Sequence, residues 1–159
     1  MSITCKVHPG MMRFMTEAQM DLVSGNTSPV DTFKCALMGT GFSFDPTSSN
    51  YDSYLDAAIS SAEISTAGGY STGGVTLTNV YTSDSFATGI MTFSCDPIDF
   101  AAVGTDMDGA VAAVFYDDTI TEKPVLCCIE FGATYTTAAG TTFRIGLTNG
   151  LFKFTCNPT

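Results

Sequence analysis

Gly68-Gly69-Tyr70-Ser71-Thr72-Gly73-Gly74-Val75-Thr76-Leu77-Thr78-Asn79 is a glycine-rich block that leads straight into β-type sequence. It superficially suggests a phosphate cradle. Gly73-Gly74 is not followed by the Lys-Ser/Thr of a P-loop, however, and the block runs into a Val/Thr-rich strand instead of a helix, so it supplies neither helix-terminal amides nor a cation. Its glycines instead predict a loop with positive φ angles or close backbone packing. Short β-type segments follow at residues 75–81, 89–95, 111–116, 125–131, 142–147 and 151–156. Their lengths and spacing predict a mainly β protein, an antiparallel β-sandwich or jelly roll. Phe93, Phe115, Phe131, Phe143, Phe152 and Phe154 are large enough to fill the space between two sheets. Asn149-Gly150 is the strongest hairpin signal and predicts a type I′ turn joining the last two strands.

Upstream of the block, residues 32–38 alternate as a strand closed by Gly39-Thr40-Gly41. Residues 45–50 are rich in turn formers. Residues 51–59 place Tyr51, Tyr54, Leu55, Ala58 and Ile59 at helical spacing, which predicts a short helix across one end of the sheets with Asp52 and Asp56 facing water. The first thirty residues are rich in Met. Thr16-Glu17-Ala18-Gln19 has the form of a capping box, with Met15 and Met20 as a hydrophobic staple, Gly25 as the helix end and Asn26-Thr27-Ser28-Pro29 as the turn after it. The expected organisation is an N-terminal arm with a short helix over residues 1–30 and one β-sandwich domain over residues 31–159.

Composition narrows the functions available. Of 159 residues, 45% are hydrophobic and only 14% charged, against roughly 25% in an average soluble domain. The surface must draw its polarity from Thr, Ser and Gly, and low charge with high apolar content suits a surface partly covered by a partner. Six basic residues against 16 acidic ones leave a formal net charge of −10, which opposes direct nucleic-acid binding and binding to anionic membranes. No apolar run approaches the roughly 20 residues that span a bilayer. Met1-Ser2-Ile3-Thr4-Cys5-Lys6 has neither a basic nor an apolar leader region, so synthesis in a reducing cytoplasm is expected.

The residues with chemical potential do not assemble into a catalytic pattern. Cys5, Cys35, Cys95, Cys127, Cys128 and Cys156 include no C-x-x-C pair and His8 is the single histidine, so reduced core thiols are expected in place of a zinc site. Asp96, Asp99, Asp106, Asp108, Asp117 and Asp118 raise the possibility of paired-acid hydrolysis, but the chain has no Trp to serve as a sugar platform. Asp106-Met107-Asp108-Gly109 lacks the third ligand and the distant bidentate Glu of an EF-hand, and reads as a loop acid before a strand. No nucleophile elbow accompanies His8. The expectation is a non-enzyme with no catalytic residues, no cofactor and no metal.

Phe33-Lys34-Cys35-Ala36-Leu37-Met38, Tyr70-Ser71-Thr72-Gly73-Gly74-Val75-Thr76-Leu77, Ala113-Val114-Phe115-Tyr116-Asp117-Asp118, Ile129-Glu130-Phe131-Gly132 and Asn149-Gly150-Leu151-Phe152 occur in succession. Taken together, over about residues 31 to 156, they make the chain resemble small virion structural proteins of tailed bacteriophages. The resemblance implies a β-rich protein, made in the host cytoplasm and located in the virion, that binds an assembled particle. A capsid decoration or cement protein would bind the major capsid protein or another virion protein as a homo-oligomer, and stabilise the head by mass action with the assembled shell. Candidate contact residues are Met11, Met12, Phe14 and Met15 of the N-terminal arm, together with Tyr70 of the glycine loop. Core packing is the competing role for each of them. The alternatives are a tail, neck or fibre-attachment component, or a virion-surface carbohydrate-binding module using Tyr51, Tyr54, Tyr70 and Tyr81.

Overall fold

A computed structural model describes residues 4–17, 20–22, 31–46, 58–85 and 88–155. The chain is mainly β, with antiparallel sheets arranged like a sandwich. Its elements in order are β1 (Thr4–Val7), α1 (Pro9–Thr16), β2 (Phe33–Met38), α2 (Ala58–Ser61), a 3-10 turn at Ala67–Gly69, β3 (Val75–Thr76), β4 (Tyr81–Ser85), β5 (Ile90–Ser94), β6 (Ile98–Ala101), β7 (Met107–Asp117), β8 (Val125–Thr137), β9 (Thr142–Ile145) and β10 (Phe152–Thr155). A five-stranded sheet runs β1-β8-β7-β2-β3. Among the described residues there are also a three-stranded sheet, β10-β5-β4, and a two-stranded sheet, β6-β9.

The period-2 geometry of the strands sorts their side chains onto two faces. Phe33, Cys35 and Leu37 of β2, Ala113 and Phe115 of β7, and Cys127, Ile129 and Phe131 of β8 share one core. The smaller sheets contribute Phe93 and Phe152, and Ile98, Phe100 and Ile145, to that same core. Phe93 stacks on Phe152 with ring centroids 4.9 Å apart and meets Phe33 edge-on at 5.6 Å. On the opposite face, Ala36, Met38, Ala112, Val114, Tyr116, Val125 and Cys128 pack with Ile59 of α2, and Phe42 and Phe44 lie against them. Because the central strands are buried on both faces, Cys35-Ala36-Leu37-Met38 and the run from Val125 to Ile129 are continuously apolar.

Several expectations change in the folded chain. The segment 75–81 is not one strand. It divides into β3, paired with β2, and β4, paired with β5, and Asn79 between them adopts a positive φ of 48° while its Nδ2 donates to Asp96 Oδ2 at 2.5 Å. Asn149-Gly150 does not close a hairpin, because β9 pairs with β6 and β10 with β5. Gly150 has positive φ (79°) but Asn149 does not, whereas a type I′ turn requires both. The turn hands the chain from one sheet to another, and a Cβ at position 150 would stand 2.3 Å from Thr92 Cγ2. β1 and β6 carried no expectation, and β7 and β8 extend beyond the segments read for them.

The start of the N-terminal helix is also corrected. β1 is an edge strand of the large sheet, paired with β8 from Thr4↔Glu130 to Val7↔Cys127, so the described part of residues 1–30 is built into the sandwich. Thr16 is the last residue of α1, with its Oγ1 donating to the Arg13 carbonyl, and is not a helix N-cap. The N-cap is His8, whose Nδ1 accepts from the Gly10 N–H at 3.0 Å, and Pro9 follows at the first helical position, where a missing N–H costs nothing. Gln19 of the capping box, Gly25, the 26–29 turn, the 47–50 part of the turn-rich loop, and residues 51–57 of the second helix lie outside the described residues.

Candidate functional site

The glycine block is held from within by a buried polar network. Tyr70 is buried, stacks near Phe100 at 6.0 Å, donates its hydroxyl proton to Glu63 Oε1 at 2.5 Å, and accepts from the Leu37 N–H at 3.0 Å. The Gly73 N–H donates to the same carboxylate oxygen at 2.7 Å, and the Tyr116 hydroxyl donates to the Gly73 carbonyl at 2.8 Å. Burial, with the Glu63 carboxylate beside it, pushes the Tyr70 phenol well above its ordinary range, so it stays a donor. At Gly74 the backbone comes so near β2 that a Cβ would lie 1.9 Å from the Cys35 carbonyl oxygen. The block thus uses its glycines for positive φ and close packing, and Glu63, which sequence reasoning missed, organises it. Only proximity in the fold reveals Glu63, since nothing about its neighbours in sequence marks it.

Of the candidate contact residues, Met11 and Phe14 are fully buried in the main core, and Met15 is partly buried against it. Met12 alone among the four is substantially exposed, at 46%. Tyr70 faces inward, its hydroxyl bonded within the fold. The structure therefore does not bring the five residues together as an outward contact surface. Among the tyrosines considered for sugar stacking, Tyr81 is exposed, Tyr70 is buried, and Tyr51 and Tyr54 lie outside the described residues.

The remaining titratable groups are spent on local structure. His8 caps α1. Cys35 and Cys127 are fully buried, and burial raises both thiols well above their ordinary range. Burial likewise lifts Cys95 to about 11 and Cys128 to about 12. Cys5 is exposed, donates to the Leu151 carbonyl at 3.3 Å, and has its pKa lowered chiefly by the Cys127 thiol. The acids are dispersed. Asp96 holds Asn79, Asp99 makes a two-pronged pair with Arg144 at 2.6 and 2.7 Å, Asp106 accepts from the Ala139 N–H, and Asp118 pairs with Lys34 and Lys123. Among the described residues there is no group of three or more His, Cys, Asp or Glu able to hold a metal, and no helix long and apolar enough to cross a membrane.

The feature that points outward lies along β8. The ladder to β7 steps from Ala112↔Glu130 to Ala110↔Tyr135, so five steps along β8 match two along β7. Residues 131–134 therefore bulge, helped by Gly132 at φ 73°, and Gly132, Ala133 and Thr134 are exposed. On one face of this segment is a cleft of about 250 Å³, lined mainly by Ile129, Phe131, Tyr135, Phe143 and Ile145. On the other is a more open hollow of about 340 Å³ against Phe42, Val111, Ala112 and Glu130. Phe131, Tyr135 and Phe143 touch one another with centroids 5.4 to 5.9 Å apart, which keeps the cleft wall ordered.

Fold and site define a mainly β, sandwich-like protein with a bulged strand that has a recess on each face. No protein-family model matches the chain, and no curated protein or solved structure matches it.

Proposed function

We propose that this chain is a structural protein of a tailed-bacteriophage virion, and specifically a capsid decoration or cement protein that binds the assembled head and stabilises it. The resemblance in the strand and glycine-loop motifs suggests the virion. The observation that carries a binding role is the recessed, exposed bulge of β8, set on a sheet that is buried on both faces and therefore a rigid platform. Glu63, Tyr70, His8 and the buried thiols meanwhile hold the scaffold together. Recognition by loops and edges on a rigid sandwich is a common use of this architecture. A protein that prefers the intact shell to its free subunits stabilises the shell by linkage, without any chemistry.

The test is to add the purified protein to particles lacking it and examine them by cryo-electron microscopy. Regular density over the capsid lattice is expected. Density confined to the tail vertex would transfer the protein to the tail or neck, and absence of binding would overturn the virion reading.

A further inference from the structure

The chain passes from β9 to β10 through a turn at Leu147-Thr148-Asn149-Gly150, closed by the Gly150 N–H donating to the Leu147 carbonyl at 3.3 Å. That bond is longer than the usual range of about 2.7–3.2 Å, so the Gly150 amide is loosely held on its upstream side. Asn149 is exposed, and the glycine after it has no side chain to keep the Asn149 carboxamide away from the Gly150 nitrogen. Ring closure between neighbouring groups depends on such approach and alignment. Asn79, the other described asparagine, is placed oppositely: the β-branched Val80 follows it, and its Nδ2 is tied to Asp96 Oδ2 at 2.5 Å. Downstream of Asn149 the chain is pinned. A Cβ at position 150 would lie 2.3 Å from Thr92 Cγ2 and 2.9 Å from the Phe93 carbonyl oxygen, and the Leu151 N–H donates to that same carbonyl at 2.8 Å. Phe152 then stacks on Phe93 at the start of the β10–β5 ladder. No space is left there for an additional main-chain atom.

We propose that Asn149 is a site of spontaneous modification, at which its side chain cyclises onto the Gly150 nitrogen and the isoaspartate that follows releases β10 from β5. A base removes the Gly150 N–H proton, the nitrogen attacks Asn149 Cγ, and the Cγ–Nδ2 bond breaks with loss of ammonia. The product is a cyclic imide, a succinimide. Water then opens the ring, its oxygen adding to one of the two imide carbonyls and its proton going to the departing nitrogen. Addition at Cγ breaks the new bond to the Gly150 nitrogen and leaves aspartate. Addition at the main-chain carbonyl carbon breaks the original peptide bond and leaves isoaspartate. Water is taken up and ammonia lost, with no oxidant or reductant. Either product adds a negative charge at neutral pH. Isoaspartate also carries the main chain through Cβ and Cγ, which inserts an extra carbon immediately before the tight contact of Gly150 with β5. The inserted length displaces Gly150 and Leu151, withdraws Leu151 and Phe152 from the core they share with Phe93, and breaks the ladder that runs from Phe152↔Phe93 to Thr155↔Ile90. Aspartate, with an unchanged main chain at an exposed position, leaves that ladder intact. The modification needs no partner, so it stands apart from the virion reading.

The test is to hold the full-length protein in mildly alkaline buffer and follow it by peptide mass spectrometry, with fragmentation that separates isoaspartate from aspartate. The mass gain of an amide-to-acid change is expected at Asn149, with isoaspartate among the products, at least about tenfold faster than any change at Asn79. Asn149→Gln, whose longer side chain would have to close a larger ring, should lower conversion at this exposed position at least about tenfold with an unchanged circular dichroism spectrum. The converted fraction is isolated by anion exchange. Its isoaspartate-bearing molecules should exchange the amide hydrogens of β10 at least about tenfold faster than unmodified protein. Freshly prepared Asn149→Asp, which has the charge without the extra carbon, should exchange them like wild type. No conversion at Asn149, conversion no faster than at Asn79, or conversion to aspartate alone overturns the proposal. So does β10 exchange that is unchanged by isoaspartate, and so does equal loosening of β10 by Asn149→Asp, which would make the charge the cause.

Discussion

At the scale of single residues, neighbouring side chains of the same type have opposite roles. Met11 and Phe14 lie one turn apart on the buried face of α1, and Met12 points outward. Phe14→Ala should cost about 3–5 kcal/mol and Met11→Ala about 2–5 kcal/mol in chemical denaturation, whereas Met12→Ser should change stability by no more than about 0.5 kcal/mol. Equal effects of Met11 and Met12 would refute the helix orientation. Tyr70→Phe leaves the Leu37 N–H and the Glu63 carboxylate each short of a partner in a buried network, and should cost about 1–3 kcal/mol. Asp117 adds a pH dependence. Burial raises its carboxyl to about 6, the Thr119 N–H at 2.8 Å opposes the rise, and the Asp31 carboxylate beside it adds to it. From an unfolded value near 3.8 up to about 6, the folded state holds a proton that the unfolded state has lost. This contribution to stability is therefore complete below about 3.8 and disappears as pH rises through about 6. Asp117→Asn should raise Tm relative to wild type more at pH 7 than at pH 4, and a pH-independent difference would show that the carboxyl does not titrate in that window.

At the scale of elements, glycine positions separate close packing from spare freedom. Gly74→Ala forces a methyl against the Cys35 carbonyl at positive φ and should prevent β3 from docking on β2, with a large loss of stability by thermal unfolding. At Gly41 a Cβ would meet nothing within 4 Å and φ is not positive, so Gly41→Ala should be neutral or slightly stabilising. Local patterns were legible where the element satisfied itself. The strand-type residues of 32–38 and 89–95, bounded by turn formers, yielded β2 and β5 nearly to the residue. The helix start was misplaced because Thr16-Glu17-Ala18-Gln19 matches a capping box by residue type, while the operative cap is His8 with Pro9, a pairing in which histidine is an uncommon acceptor. The Asn149-Gly150 signal marked a turn correctly but not its partners, since strand pairing is chosen by distant surfaces.

At the scale of the whole molecule, burial divides the five described cysteines into one exposed thiol and a protected group. Cys5 lies on the edge strand with its pKa lowered, while Cys35 and Cys127 are inaccessible and raised. Iodoacetamide applied to the native protein should label Cys5 first among the five described cysteines, with Cys35 and Cys127 reacting only after denaturation, as mapped by peptide mass spectrometry. Early labelling of Cys127 would mean that β1 leaves β8 readily.

By itself the sequence determined the β class, the strand-rich second half and the glycines' structural role, because alternation, turn chemistry and backbone freedom are local properties. It also contained the acidic balance that opposes binding to nucleic-acid phosphates and anionic membranes. Only the tertiary structure decided that β1 joins the large sheet, that Tyr70 and Met11 face the core, and that Glu63 holds the glycine loop. The β8 bulge with its two recesses belongs to the same group. Each of these depends on contacts between residues far apart in the chain, whose free energy exists only once the sheets have packed and excluded water between them.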